Sequence, residues 1–244
     1  MPILIFFLCH WFLSLFFHTF FLHRYASHKM FTMNKFWERF YYLTTFFSMG
    51  SSYLVPRAYA IMHRQHHAYS DTDKDPHSPH FFKDIFRMMI HTKRIYQGFV
   101  NKTMNFDMQF AGNLPSWETL DKIGDNWMVR VAFGIAYTLF YIFFATHWWM
   151  FLLLPVHYLM GPIHGAIVNW AGHKYGYANF SNGDKSKNSE PWGFVMMGEL
   201  FQNNHHKFPD SPKFAKRWFE IDPTYYIMIM MSWVGIIKMV KARK

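Results

Sequence analysis

The chain has 244 residues, 51% of them apolar and 22% aromatic, a formal charge of +10 and one cysteine, Cys9. That length and apolar content exclude disorder and a stapled mini-protein, and a lone thiol in an apolar run excludes a disulfide scaffold and argues against a thiol nucleophile. No Lys/Arg-rich run, no G-x-x-x-x-G-K-S/T loop and no H-E-x-x-H occurs, which removes the signals for nucleic-acid binding, nucleotide chemistry and zinc proteolysis.

Charge placement sets the expected architecture. No Asp, Glu, Lys or Arg occurs from Met1 to His23 or between Arg130 and Lys174. One helical crossing of hydrocarbon takes about 20 residues, so the pattern predicts transmembrane helices at 2–22, 130–146 and 149–168, turning near Thr146 to Trp149, where indoles suit the headgroup level. The first stretch lacks the basic flank and small-residue cleavage site of a secretory leader, and is read as a retained crossing. The Lys and Arg fall in two blocks, 24–130 and 174–244, which three crossings bring to one face. By the positive-inside rule that face is cytoplasmic. The expected fold is all-α, a single domain over 1–244 with a helical cytoplasmic cap formed by 23–129 and 169–244.

Within the cap, the charge-free stretch from Phe40 to Val55 is short and carries Gly50, Ser51 and Ser52, so it predicts a buried or interfacial helix, a fourth crossing being the alternative. Asn101 to Asp125 and Asn179 to Ser189 read as surface loops without a motif. Asp222 and Pro223 form a helix start, opening an apolar helix from Tyr225 to Ile237 that lies on the membrane face and ends in Lys238, Lys241, Arg243 and Lys244.

Eight of the 16 histidines fall into four short groups that this topology brings to one side: His23 and His28; His63, His66 and His67; His173, four residues after Asn169; and His205 and His206, following Gln202. On a helix, positions i, i+3 and i+4 share a face, so His63, His66 and His67 are expected to point into one cavity, as are Gln202, His205 and His206. The i to i+5 spacing of His23 and His28 diverges unless the helix end is distorted, which suggests ligands for different metals. Eight imidazoles exceed the three or four of one catalytic zinc, so two metals are expected. His10, His18, His147, His157 and His164 read as packing residues; His77, His80 and His91 as surface residues or supports behind the ligands.

Four stretches carry a family resemblance: His23 to His28; His63-Arg-Gln-His-His-Ala-Tyr-Ser-Asp-Thr-Asp-Lys-Asp-Pro-His77; Asn169 to Tyr177; and Gly198 to Pro209. The chain resembles the membrane fatty acid desaturases, and most closely their acyl-CoA, stearoyl-CoA delta-9-like branch. The resemblance implies a non-haem di-iron centre on His23, His28, His63, His66, His67, His173, His205 and His206, with Asn169 reaching one metal through a water and no further catalytic residue. It also implies O2 as co-substrate and insertion of a cis double bond into a long-chain acyl group, with acyl-CoA the expected carrier. Hydrogen abstraction from an unactivated methylene needs the cofactor's oxidant, while aromatic-rich helices are expected to form an apolar tunnel for the chain.

Gln202 stands where that branch commonly has histidine, and is expected as a weak oxygen ligand or a contact behind the ligands. Only 22 residues precede His23, whereas the family usually has a further crossing there. No flavin or nicotinamide fingerprint occurs, so a ferredoxin, rubredoxin or cytochrome b5-type donor is expected on the basic face. The expected location is a bacterial cytoplasmic membrane rather than the endoplasmic reticulum. Competing readings are a di-iron fatty acid or lipid hydroxylase, and a non-enzymatic metal-binding protein, which predicts ionisable groups within the crossings.

Overall fold

The structure, a computed structural model, describes residues 1–240, so Lys241, Arg243 and Lys244 lie outside the described residues. Helix α1 (Pro2–Phe17) opens on a proline, whose missing N–H costs nothing in a first turn. It runs without a break into a π-helix, His18–Ser27, giving a 26-residue apolar rod. The short strand β1 (Phe31–Thr32) follows. Asn34 then caps α2 (Lys35–Met49) by accepting from the Trp37 amide at 3.0 Å. Helix α2 folds back on α1 and buries Tyr41, Tyr42, Phe46 and Met49. It ends at Gly50, φ +50°, where a Cβ would stand 1.8 Å from the Tyr137 hydroxyl. The stretch expected as a buried helix or a fourth crossing is thus a packed helix of 15 residues.

Helices α3 (Pro56–Tyr69), α4 (Ile85–Val100) and α5 (Glu118–Asp125) build one side of the cap. Helix α5 corrects the loop expected over 101–125: its eight residues are too few for a clear periodic signal, yet Leu120 is buried and Asp121 accepts from the hydroxyls of Tyr42 (2.7 Å) and Tyr53 (2.9 Å). Arg64 of α3 donates to Ser27 O at 2.8 Å, at the end of the π-helix, and to Phe110 O at 3.0 Å, so it ties that end to the loop after α4.

Helix α6 (Trp127–Phe144), capped by Asn126, is the second rod long and apolar enough to cross a bilayer. The third apolar segment is broken. A 3-10 turn (Trp148–Leu153) leads into α7 (Leu154–Tyr158), and α8 (Met160–Ala166) continues through a π-helical turn (Ile167–Ala171) into α9 (Gly172–Lys174). The two halves meet at 72°. Pro162 is the cause: it has no N–H for the carbonyl four residues back, Tyr158 O, and kinks the helix there. Ser51 takes up that carbonyl at 3.1 Å, and Ser52 accepts from the Gly161 amide at 2.9 Å.

Helices α10 (Trp192–Val195), α11 (Gln202–Lys207) and α12 (Pro223–Trp233) complete the cap. Asp222 caps α12 through the Tyr225 amide at 3.1 Å, as the sequence suggests. The helix stops four residues short of Ile237, because Gly235 (φ +75°) turns the chain and β2 (Lys238–Met239) pairs antiparallel with β1, the one sheet among the described residues.

Arg24, 0% exposed, ties the first rod to α12. Its guanidinium donates to Asp222 Oδ1 (2.9 Å) and Pro212 O (2.8 Å) and lies 3.9 Å over the Phe214 ring. Removing one partner of such a pair leaves a buried charge alone, at a cost of about 3–5 kcal/mol. Asp222→Ala is therefore expected to lower the melting temperature in detergent sharply, whereas Glu118→Ala, which breaks an exposed pair with Lys122, leaves it nearly unchanged.

Candidate metal centre

All eight histidines singled out in the sequence meet in the cap, in two groups. The ligand nitrogens of His23, His28, His63, His67 and His205 lie within 4.8 Å of one another, and so do those of His66, His173 and His206. The division differs from the expectation in two respects. His23 and His28 belong to one group, because π-helical hydrogen bonds join residues five apart, and His28 N donates to His23 O at 3.2 Å. The sets on α3 and α11 do not each serve one point: His63 and His67 face the larger group and His66 the smaller, while His205 and His206 part in the same way.

Carboxylates fix the tautomers. His66 Nδ1 meets Asp75 (2.9 Å), His173 Nδ1 meets Asp71 (2.9 Å), His206 Nδ1 meets Asp184 (2.7 Å) and His23 Nδ1 meets Glu199 (2.6 Å). A carboxylate accepts, so each ring carries its proton on Nδ1 and presents the Nε2 lone pair inward, the arrangement that supports a metal-binding imidazole. Thr19 holds Glu199 in turn, and Asp71 also accepts from Ser78 and the Lys185 amide. Burial, with the neighbouring imidazoles, holds His28, His63, His66, His67 and His205 well below the usual 6.5, so these rings are neutral at pH 7. Burial raises Glu199 and Asp184, but contact with His23 and with His206 outweighs it and brings both carboxyls down to about 2.

The geometry fits metal ions. Donors at right angles on a metal with bonds of about 2.1 Å lie about 3.0 Å apart. The Nε2 pairs His23 with His205, His28 with His63, His63 with His67 and His66 with His206 stand at 2.9, 2.8, 3.1 and 3.2 Å. In the last pair both Nδ1 atoms are carboxylate-bound, so two lone pairs face each other. That contact is repulsive unless a cation lies between them. His173 Nε2 is buried with no partner.

The sequence reasoning gave no role to Asp71, Asp75, Asp184 and Glu199. Asp71 and Asp75 follow His67 in an acidic stretch that could have signalled them; Asp184 sits in the supposed motif-free loop over 179–189, distant in sequence from His206. His80 Nε2 bonds His173 O at 3.0 Å and so lies behind a ligand, and His91 packs on Phe82. His77 is buried against His66. His10 and His157 form a separate pair (2.6 Å) with Tyr141, outside both groups.

A cavity of about 940 Å3 runs from His23, His63, Asn169 and Gln202 to a floor where Thr138 and Tyr158 hydrogen-bond at 2.6 Å. On α6 its wall is the stripe Trp127, Val131, Gly134, Ile135 and Thr138, one helical face about 16 Å long. Arg130, Lys93 and Asp125 bring charge to its cap end.

Rods able to cross a bilayer, joined to a cap that gathers eight imidazoles and four carboxylates beside a largely apolar cavity, define a helical integral membrane protein with a site able to bind metal ions. The chain belongs to the fatty acid desaturase family, whose model matches residues 1–229. It is similar to a hex-5-enoyl-(acyl-carrier protein) acetylenase of Moorena producens, 27% identical over 77% of this chain and 64% of that one. It is also similar to an sn-1 stearoyl-lipid 9-desaturase of Synechocystis, 27% identical over 74% and 54%, and an acyl-CoA C20 Delta5-desaturase of Anemone leveillei, 28% identical over 88% and 66%. The chain thus spans about half to two thirds of the length of these relatives.

The buried imidazoles predict a pH response. The pKa of His28, His63, His66, His67 and His205 lies below 6.5 when folded, so the unfolded chain takes up protons first as pH falls and stability declines below about 6.5. The depressed carboxyls Glu199 and Asp184 add a further loss from their ordinary range down to about 2. The melting temperature of metal-free protein should therefore drop steadily from pH 7 to pH 4; a flat profile between pH 7 and 5 would contradict neutral buried histidines.

Proposed function

We propose that this protein is an O2-dependent desaturase that inserts a cis double bond into a long-chain acyl group, with acyl-CoA as the expected carrier. The carrying observation is the repulsive approach of His66 and His206 in a carboxylate-held histidine site that opens on an apolar cavity. His23, His28, His63, His67 and His205 would hold one iron and His66, His173 and His206 the other. Iron bound there would supply the oxidising chemistry that removes hydrogen from an unactivated methylene.

The chain's own residues position and exclude. Gly134 leaves the cavity wall open on α6 and the Thr138–Tyr158 pair closes its floor, so the cavity would hold an acyl tail along α6 with its reacting carbons toward the histidines. Lys93 and Arg130 suit an anionic carrier at the cap end. Asp71, Asp75, Asp184 and Glu199 keep each proton on Nδ1, away from the metals. The relatives act, by their names, on acyl-carrier protein, lipid and CoA derivatives of fatty acids.

The two basic blocks support a cytoplasmic cap, which we propose lies at a bacterial membrane and receives electrons from a ferredoxin, rubredoxin or cytochrome b5-type donor on its basic face. Asn169 lines the cavity beside the histidines, as a contact through water requires. A hydroxylase built on the same site would differ in whether the substrate radical recombines with oxygen.

Fatty acid methyl ester profiling of a host expressing the chain tests the proposal. A new monounsaturated acid is expected, absent with His66→Ala or His206→Ala, which also lose iron, whereas His157→Ala keeps its iron. Hydroxy acids in its place would favour the hydroxylase, and an unchanged profile from iron-loaded protein supplied with each donor would refute both.

A further inference from the structure

One side of the first rod carries polar groups that the metal centre does not use. His10, Ser14 and His18 recur every four residues, and His23 follows His18 by the five residues of a π-helical turn, so the four lie along one side of the rod. Helices α7 and α8 pack against α1 and bring His157 and His164 to it. His10 Nδ1 and His157 Nδ1 stand 2.6 Å apart, the Tyr141 hydroxyl lies 2.9 Å from His157 Nε2, and the ring of His164 is 4.5 Å from that of Trp11.

Packing does not account for this seam. Ser14 Oγ, His18 Nδ1 and both ring nitrogens of His164 are buried with no hydrogen-bond partner, and Ser14 and His164 are 0% and 1% exposed. Each such atom costs about 1–3 kcal/mol, and within a bilayer no lipid tail can satisfy it. Buried space lined by polar groups holds water, and the space is at hand: His18 and His164 line the cavity that also reaches His23 and Asn169. That cavity has unlike walls. The stripe of α6 suits an acyl tail, whereas the imidazoles of α1 and α8 suit water.

The seam leads away from the cap. From His23 to His10 it runs about 20 Å along the rod, and beyond the His10–His157 pair it ends at Tyr141, one turn before the end of α6 and close in sequence to the exposed Thr146 and His147. Removing two hydrogens from a CH2–CH2 unit while O2 is reduced to two waters consumes two electrons, which the external donor supplies, and two protons. A neutral imidazole can accept a proton at one ring nitrogen and release one from the other.

We propose that Tyr141, His157, His10, Ser14, His164 and His18, bridged by ordered water, form a proton path from the end opposite the cap to the metal centre. The inference rests on the desaturase reading, and it gives the intramembrane histidines a role that carries no metal.

The test uses iron-loaded protein in nanodiscs. X-ray hydroxyl-radical labelling, read by mass spectrometry, marks side chains beside bound water and needs no turnover; His18 and His164 are expected to be labelled in wild type. Ser14→Ala and Tyr141→Phe each remove one hydroxyl that does not line the cavity. Both are expected to keep wild-type iron and KM, while kcat falls by about a hundredfold and its solvent deuterium isotope effect rises, because proton transfer then limits the rate. Unlabelled His18 and His164 in wild type would overturn the proposal, as would a wild-type kcat in folded Tyr141→Phe, or a lower kcat in either variant with an unchanged isotope effect. Iron-loaded wild type that is labelled at the seam yet forms no product with any donor would instead overturn the desaturase reading and, with it, the protons' destination.

Discussion

Eight imidazoles gathered in the cap, four of them turned inward by carboxylates, form the constraint on which the rest of the structure depends. A neutral ring held by Asp or Glu at Nδ1 can offer only a lone pair at Nε2, and His66 and His206 present theirs to each other at 3.2 Å. Packing alone does not stabilise that contact; a cation does. The cap therefore has to withstand this repulsion wherever no cation lies between the two rings. It does so with buried ion pairs and hydrogen bonds that converge from distant parts of the chain, such as Arg24 with Asp222 and Arg64 with the carbonyl of Ser27.

Departures from the regular α-helix place these groups. The π-helix at the end of the first rod turns His23 and His28 to one side, and a second π-helical turn carries Asn169 just before His173. Pro162 bends the third apolar segment by 72°, and Ser51 and Ser52 take up the groups the bend leaves free. The same serines line the cavity whose floor is Thr138 and Tyr158. A kink that would weaken a simple membrane anchor here helps shape a binding space, because the freed carbonyl of Tyr158 finds a partner.

Much of this was legible in the sequence, for physical reasons. Charge-free windows mark the apolar segments, since a charge in hydrocarbon is costly, and histidines spaced by three, four and five residues beside those windows mark the site. The division into five and three was not legible, because helical periodicity assumes 3.6 residues per turn and the π-helix at His23 does not obey it. Nor does periodicity tell which face of α3 meets which histidine group. Asp184 gave no local signal, since its partner His206 is reached only through the fold. The cap helix from Pro223 was foreseen by its Asp222 start, but its end at Trp233 depends on the turn at Gly235 and pairing with Phe31 and Thr32.

The most direct test of the central claim is an anomalous difference map of the crystallised protein, recorded on both sides of the iron absorption edge. Two iron peaks are expected, one among His23, His28, His63, His67 and His205 and one among His66, His173 and His206. A single peak, or density that follows the zinc edge instead, would contradict a di-iron centre at these histidines.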